Sequence, residues 1–215
     1  MKPYQQQFIE FLLKHQALKF GEFKLKSGRI SPYFFNSGVF NDGESLEKLG
    51  YFYASAIQNA KLSYDVLFGP AYKGIPLVCT TAISLHKHFQ LNVPYCFNRK
   101  ETKDHGEGGN IVGAALQGRV VIIDDVITAG TAVRESMQLL AAAKAQLTSI
   151  VIAVDRQERG QHNQSVLREI EESYGVKIIS IIKLENIIEY LSLQKDNQEI
   201  LAKVRAYQQQ YAAVS

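Results

Sequence analysis

The chain has 215 residues, of which 46% are hydrophobic and 21% charged, and its 24 basic and 21 acidic side chains give a formal net charge of +3. This composition excludes a disordered or fibrous protein, and the charge excess is too mild to indicate a nucleic-acid binder. The length suits a single domain, 1–215, with room for a sizeable core.

Hydropathy and cysteine content bear on the location of the protein. The sequence has no run of about 18 apolar residues, which a membrane-spanning helix requires. The opening residues contain no apolar signal core. Cys79 and Cys96 lie far apart without metal-ligand spacing, which predicts reduced thiols in the core. We therefore expect a cytoplasmic protein that binds neither membranes nor nucleic acids.

The first 40 residues predict a helix followed by a small antiparallel lobe. Apolar residues between Phe8 and Leu13 recur every three or four positions, as on an amphipathic helix. Alternating residues in 20–26 and the aromatic run at 33–35 predict two short strands, with a turn at 27–29 between them.

From about residue 44, predicted strands and helices alternate. The strands are predicted at 64–68, 93–97, 119–123, 149–154 and 176–182. The helices are predicted at 44–60, from the turn at 69–74 to about 88, from 131 to about 145, at 163–174, and as two further C-terminal helices. Near-continuous apolar strands separated by helices predict a parallel sheet covered on both faces, and therefore an α/β fold.

The most informative segment, 120–132, is a buried strand followed by two aspartates and a loop of small and hydroxyl residues. Ligands of open α/β sheets bind at the carboxyl ends of strands, where Asp124 and Asp125 lie. Backbone N–H groups, hydroxyls and a helix dipole at 128–131 suit a phosphate monoester. The aspartates suit sugar hydroxyls, directly or through Mg²⁺. A phosphorylated sugar is the predicted ligand, and an ordinary Thr-capped turn is the alternative.

Two further polar segments suit a diphosphate. In 69–76, glycines flank Tyr72 and Lys73, so backbone amides can face an anion while Lys73 supplies charge. Segment 99–110 is charged, glycine-rich and too polar to pack, and we expect it to be a mobile loop between two core strands. Such loops are more often functional lids, although a merely solvated loop is the alternative for each segment.

Segment 120–132 resembles the ribose-phosphate-binding motif of the type I phosphoribosyltransferases. Over essentially its whole length, the chain is similar to the bacterial orotate phosphoribosyltransferases. The matching features are the Lys26 hairpin, Phe34 and Phe35, 69–74, 99–105, and Asp155 with Arg156. The resemblance implies the type I phosphoribosyltransferase fold, in which helices flank a central, mostly parallel sheet and a small N-terminal lobe (the hood, about 1–40) recognises the base.

The implied enzyme is a glycosyltransferase of UMP biosynthesis. It would transfer ribose 5-phosphate from 5-phosphoribosyl 1-diphosphate to orotate, with Mg²⁺ as cofactor, giving orotidine 5′-monophosphate and diphosphate. The resemblance also implies a homodimer, in which Lys100 of the lid reaches the neighbouring subunit's site. No protein side chain is expected to bind Mg²⁺ directly, because the diphosphate and the ribose hydroxyls carry the ion.

The resemblance assigns roles to individual residues. The catalytic group is Arg99, Lys103, His105, Asp124 and Asp125. The sugar diphosphate would contact Lys26, Tyr72, Lys73, Arg99, Lys100, Lys103, His105, Asp124, Asp125, Val126, Ile127, Thr128, Ala129, Gly130, Thr131 and Ala132. Orotate would contact Phe34, Phe35, Thr128 and Arg156.

The choice of base depends on Arg156. An arginine matches the orotate carboxylate with two parallel hydrogen bonds, whereas an uncharged purine would leave it buried without a partner. The alternatives are an ion pair between Arg156 and Glu158, and a core position for Phe34 and Phe35. The rival functions are a purine phosphoribosyltransferase and a regulator that binds the sugar diphosphate as an effector. The absence of a helix-turn-helix pattern and of a basic stripe disfavours the regulator.

Overall fold

The structure, a computed structural model, describes residues 1–25, 27–103, 109–160 and 164–213, and only the backbone of residues 102, 103 and 195. Lys26 and His105 therefore lie outside the described residues, as does the side chain of Lys103.

The N-terminal part consists of a helix and a two-stranded antiparallel sheet, as predicted. Its elements are α1 (Pro3–Lys14), β1 (Leu18–Lys24), β2 (Ile30–Phe35), a 3₁₀ turn (Ser37–Val39) and α2 (Gly43–Ala60). Pro3 opens α1, where its fixed φ and missing N–H are tolerated. Leu18 of β1 pairs with Phe35 of β2.

The rest of the chain forms one six-stranded sheet and five more helices. In chain order these are β3 (Val66–Gly69), α3 (Gly74–Phe89), β4 (Tyr95–Lys103), β5 (Gly109–Gly113), β6 (Arg119–Ile123), α4 (Thr131–Ala142), β7 (Gln146–Asp155), α5 (Val166–Tyr174), β8 (Lys177–Lys183), α6 (Leu184–Ser192) and α7 (Gln198–Tyr211). The strand order is β5-β4-β3-β6-β7-β8. All neighbouring strands are parallel except β5, which is antiparallel to β4.

Helices cover both faces of this sheet, so two cores form. Successive side chains of a strand point to opposite faces. In β6, Val121 and Ile123 accordingly join the core beside α1, α2, α3, α6 and α7. Val120 and Ile122 join the second core, beside α4 and α5. The predicted α/β fold with a mostly parallel sheet is confirmed.

The polar segment 99–110 differs from the expected loop. Strand β4 does not end near Phe97 but runs to Lys103, and β5 begins at Gly109. Lys103 pairs with Gly109, and Phe97 with Val112. Backbone hydrogen bonds need no apolar side chains, so a polar segment can form strands at the edge of a sheet. The prediction of a loop over 99–103 and 109–110 is wrong, and 104–108 lie outside the described residues.

The sheet topology brings several polar loops together. Parallel strands β3, β6 and β7 are neighbours and end at the same edge, so the segments that follow Gly69, Ile123 and Asp155 meet there. Within the described parts of the chain, no helix is both long and apolar enough to cross a membrane.

Candidate active site

The two aspartates after β6 lie at the carboxyl edge of the sheet, where the sequence places them. Asp124 is 8% exposed and Asp125 is 6% exposed. Their backbone continues the pairing with β7, because the N–H of Asp124 donates to the carbonyl of Val151 at 3.0 Å. The hydroxyl of Tyr53, from α2, donates to the carbonyl of Asp124 at 2.8 Å. These bonds fix the acidic pair to the rigid part of the fold.

The Asp125 carboxylate joins three segments of the chain. Its Oδ2 accepts hydrogen bonds from Lys73 Nζ and from Ser37 Oγ, each at 2.6 Å. Its Oδ1 accepts from the backbone N–H of Val126 at 2.8 Å. Ser37 was missed by sequence reasoning, and a single serine in a short turn gives no signal that could have revealed it.

The Asp124 carboxyl lies in a less favourable place for a charge. Burial, and then the neighbouring Asp125, raise its pKa to about 7 from 3.8. The backbone N–H of Asp125, which donates to Oδ1 at 2.8 Å, and the Lys73 ammonium oppose this shift. A ligand that supplies hydroxyl donors or positive charge would favour the ionised form.

The loop 128–131 turns directly into α4. Gly130 precedes the helix with φ of +71°, in the left-handed region that favours glycine. Among the described residues no side chain caps this helix, so its first N–H groups are available to an anion. Arg134, one turn into α4, donates to the carbonyl of Ala129 at 2.7 Å and so braces the loop. Thr128, Ala129 and Thr131 are exposed.

The turn after β3 places Lys73 beside the acidic pair. The Ala71–Tyr72 peptide bond is cis. The N–H of Ala71 donates to Asn98 Oδ1 of β4 at 2.8 Å, a second contact that the sequence did not reveal. A Cβ on Gly69 would lie 2.2 Å from the carbonyl oxygen of Gly74, so the close approach of the two ends of the turn requires glycine. Tyr72 is 70% exposed.

The β4–β5 hairpin carries the cationic residues expected in the lid. Lys100 Nζ lies 2.9 Å from Glu135 Oε2, which links the hairpin to α4 of the same chain. Both side chains are about half exposed, so this pair adds little stability and can be exchanged for another partner. Arg99 Nη1 lies 3.5 Å from the carbonyl oxygen of Gly109. The predicted roles of Lys26, of His105 and of the Lys103 side chain lie outside the described residues.

Arg156, expected to recognise the base, has partners within the chain. Its Nε donates to Glu158 Oε1 at 2.7 Å, and its Nη2 donates to Ser31 Oγ at 3.0 Å. The guanidinium carbon lies 4.3 Å from the centroid of the Tyr33 ring. The alternative of an ion pair between Arg156 and Glu158 is therefore confirmed. The argument that a purine would leave Arg156 without a charged partner is wrong. Arg156 does lie at the ligand edge of the sheet, and its role in orotate binding stays a prediction.

The two neighbouring phenylalanines differ in exposure. Phe34 is 39% exposed and stacks on Phe23, with ring centroids 5.5 Å apart. Phe35 is half-buried and packs against the larger core. A core role thus holds for Phe35 but not for Phe34.

The described residues contain no group of three or more His, Cys, Asp or Glu side chains that could hold a metal ion. Two adjacent carboxylates are too few for an all-protein site, so a Mg²⁺ ion here would have to be carried mainly by substrate oxygens and water.

Comparison with known proteins also indicates a phosphoribosyltransferase. A family model described as "Phosphoribosyl transferase domain" matches residues 39–181. The chain is 59% identical over 211 residues to the orotate phosphoribosyltransferase of Salmonella typhi, covering 98% of this chain and 99% of that protein. A crystal structure of the Francisella tularensis orotate phosphoribosyltransferase superposes with a TM-score of 0.88 at 43% identity, covering 96% and 99% of the two chains. The fold is also shared, at a TM-score of 0.62 and 17% identity over 85% and 98% of the chains, with a Mycobacterium tuberculosis orotate phosphoribosyltransferase in complex with 5-phospho-alpha-D-ribosyl 1-diphosphate.

Proposed function

The chain belongs to the bacterial orotate phosphoribosyltransferases, and from this premise we propose that it transfers ribose 5-phosphate from 5-phosphoribosyl 1-diphosphate to orotate with the aid of Mg²⁺. The observation that carries the proposal is the placement of a buried acidic pair between an uncapped helix N-terminus and the Lys73 ammonium. These three features match, in order, the ribose hydroxyls, the 5′-phosphate and the diphosphate of one ligand.

The sugar diphosphate would bind across the loops after β3 and β6. Its 5′-phosphate accepts hydrogen bonds from the N–H groups and hydroxyls of 128–131, and Val126, Ile127 and Ala132 complete the wall of the loop. Its ribose hydroxyls donate to Asp124 and Asp125. Its diphosphate lies near Tyr72 and Lys73, where the ammonium neutralises part of its charge.

The reaction is a displacement at the anomeric carbon. A ring nitrogen of orotate, having lost its proton to solvent, forms a bond to C1 of the ribose, the bond from C1 to the diphosphate oxygen breaks, and the diphosphate leaves with the electron pair. Positive charge develops on the ribose and negative charge on the leaving group, so the protein acts through position and charge. Bound Mg²⁺ would neutralise part of the diphosphate charge and orient its oxygens.

The hairpin would complete the site. Arg99, Lys103 and His105 are proposed to stabilise the departing diphosphate and to exclude water, which otherwise hydrolyses the activated sugar. In a homodimer, Lys100 would exchange Glu135 for the diphosphate in the neighbouring subunit's site. Lys26 would also contact the sugar diphosphate. Orotate would lie between the backbone of Phe34 and Phe35, Thr128 and the Arg156 guanidinium. We place the enzyme in the cytoplasm, where its two free thiols, Cys79 and Cys96, stay reduced.

The test is a spectrophotometric assay of orotate consumption, run with and without 5-phosphoribosyl 1-diphosphate and Mg²⁺. We expect turnover only when all three are present. A parallel panel with adenine, hypoxanthine and guanine distinguishes base specificity. Turnover of a purine without turnover of orotate would contradict the proposal.

A further inference from the structure

The carboxylate of Glu158 is the centre of a hydrogen-bond network that the proposed reaction does not use. Its side chain is 15% exposed, and four donor atoms on three residues reach it. Oε1 accepts from Arg156 Nε at 2.7 Å and from the Tyr207 hydroxyl at 3.0 Å. Arg156 Nη2 lies 2.6 Å from the same oxygen. Oε2 accepts from Arg29 Nη1 at 3.2 Å.

The donors come from distant parts of the chain. Arg29 lies in the turn between β1 and β2, Arg156 follows β7, and Tyr207 is in α7. The network therefore links the hood to the ligand edge of the main sheet, and its centre is one partly buried carboxylate.

The geometry limits how Arg156 can move. The guanidinium stacks at 4.3 Å over the Tyr33 ring, and stacking alone lets a planar group rotate within its plane. The two contacts to Glu158 Oε1, from Nε and Nη2, hold one edge of the plane and remove that rotation. Nη2 also donates to Ser31 Oγ at 3.0 Å, which fixes a second point of the guanidinium plane.

We propose that Glu158 is a positioning residue for the base: it fixes the in-plane orientation of Arg156 and so determines how well the enzyme binds the carboxylate of orotate. This inference rests on the proposed function, because it takes Arg156 as the partner of orotate. Hydrogen bonds between a guanidinium and a carboxylate depend strongly on direction, so an arginine that is free to rotate binds the substrate less well.

The test compares Glu158→Gln with wild type in the orotate assay. The amide keeps the size of the side chain but removes the charge that holds Arg156. We expect the KM for orotate to rise about tenfold, the scale of one charge-assisted hydrogen bond, while the KM for 5-phosphoribosyl 1-diphosphate changes by less than about twofold. Glu158→Asp keeps the charge but shortens the reach, and its KM for orotate should lie between the two.

The matched control is Asp65→Asn. Asp65 binds Arg119 through both carboxylate oxygens, at 2.7 and 3.0 Å, and lies before β3 at the opposite edge of the sheet. The Asp65→Asn substitution makes the same chemical change in an arginine-paired carboxylate. The KM for orotate and the KM for 5-phosphoribosyl 1-diphosphate should both stay at their wild-type levels.

The outcomes separate the two ideas. If wild type does not consume orotate, the proposed function fails, and this inference fails with it. If wild type consumes orotate but Glu158→Gln leaves its KM unchanged, or raises both KM values equally together with a fall in Tm, only the positioning role is overturned. If Glu158→Gln does not fold, Glu158→Asp decides, and a wild-type KM for orotate in that variant overturns the role.

Discussion

Lys73 Nζ lies 2.6 Å from Asp125 Oδ2, so the loop after β3 and the acidic pair after β6 are joined by an ion pair. The two strands are neighbours in the sheet, which brings residues 52 positions apart in sequence to the same point. A sugar diphosphate offers hydroxyls to Asp125 and negative charge to Lys73. In the proposed function, the pair therefore places both groups beside the ribose hydroxyls and the diphosphate of one ligand.

The first prediction is that Lys73→Gln lowers kcat/KM for the sugar diphosphate about 100-fold, because a cation beside the leaving group is lost. The Lys73 side chain is 59% exposed but its partner Asp125 is only 8% exposed, so loss of the cation should also lower the free energy of unfolding, by about 1 to 3 kcal/mol. Lys87→Gln is the control, since Lys87 makes a 2.6 Å pair with Glu47 and is 58% exposed. Steady-state kinetics of both variants check the prediction, and equal effects would contradict it.

Ser37→Ala tests the contact between the hood and the acidic pair. The hydroxyl donates to Asp125 Oδ2 at 2.6 Å, and a hydrogen bond to a charged group contributes about 1.5 kcal/mol or more. We expect kcat/KM for the sugar diphosphate to fall about tenfold, with Tm lower by only a few degrees. Ser192→Ala, which removes an exposed hydroxyl bonded to the carbonyl of Glu189, should behave as wild type. Wild-type kinetics for Ser37→Ala would show that Asp125 does not need the Ser37 hydroxyl for its orientation.

Lys103→Ala tests the hairpin. Lys103 ends β4, directly opposite Gly109 of β5, at the start of the segment expected to close over the diphosphate. Loss of its charge should lower kcat about 100-fold, because the leaving group gains negative charge only as the bond breaks. The KM for orotate should stay near its wild-type value. The control is Lys177→Ala, an exposed lysine at the start of β8, and wild-type turnover by Lys103→Ala would refute the role of the hairpin.

Contiguous sequence signals account for what was predictable. Strand β6 was predicted at 119–123 and has those bounds, because an unbroken apolar run is buried on both faces of the sheet. Asp124, Asp125 and the loop 128–131 follow this strand directly. Their location at its carboxyl end could therefore be predicted from the general rules for α/β folds, in which ligands bind at that edge of the sheet.

Contacts between distant segments were not predictable. Ser37 meets Asp125 across 88 residues, and Asn98 meets Ala71 across 27, and neither serine nor asparagine in a polar stretch carries a mark of its partner. Strand β5 was not predicted from the sequence for a different reason. It pairs through its backbone at the sheet edge, and its short sequence between two glycines has no clear period.

The raised pKa of Asp124 predicts a specific pH dependence of stability. Between pH 3.8 and about pH 7, the folded protein holds a proton on Asp124 that the unfolded chain has lost. The contribution of this group to the free energy of unfolding is thus complete below about pH 4 and is lost as the pH rises through about 7. Asp124→Asn cannot ionise, so its Tm should fall less than that of wild type between pH 5 and pH 8. Parallel Tm curves in calorimetry would contradict the assignment; the raised pKa of Asp155 affects both proteins equally.

Gly130→Ala separates the shape of the phosphate loop from simple backbone strain. Gly130 has φ of +71°, and a Cβ there would lie 3.2 Å from both Arg134 Nη1 and Ile170 Cδ1. Gly175→Ala is the matched control, because Gly175 has φ of +65° and no described atom within 4 Å of an added Cβ. Both variants should lose about 1 kcal/mol of stability from the left-handed conformation. Only Gly130→Ala should displace Arg134 from the Ala129 carbonyl, and we expect its KM for the sugar diphosphate to rise about tenfold, as when one charge-assisted hydrogen bond is lost. Equal KM values for the two variants would show that the Arg134 contact with the Ala129 carbonyl does not affect binding of the sugar diphosphate.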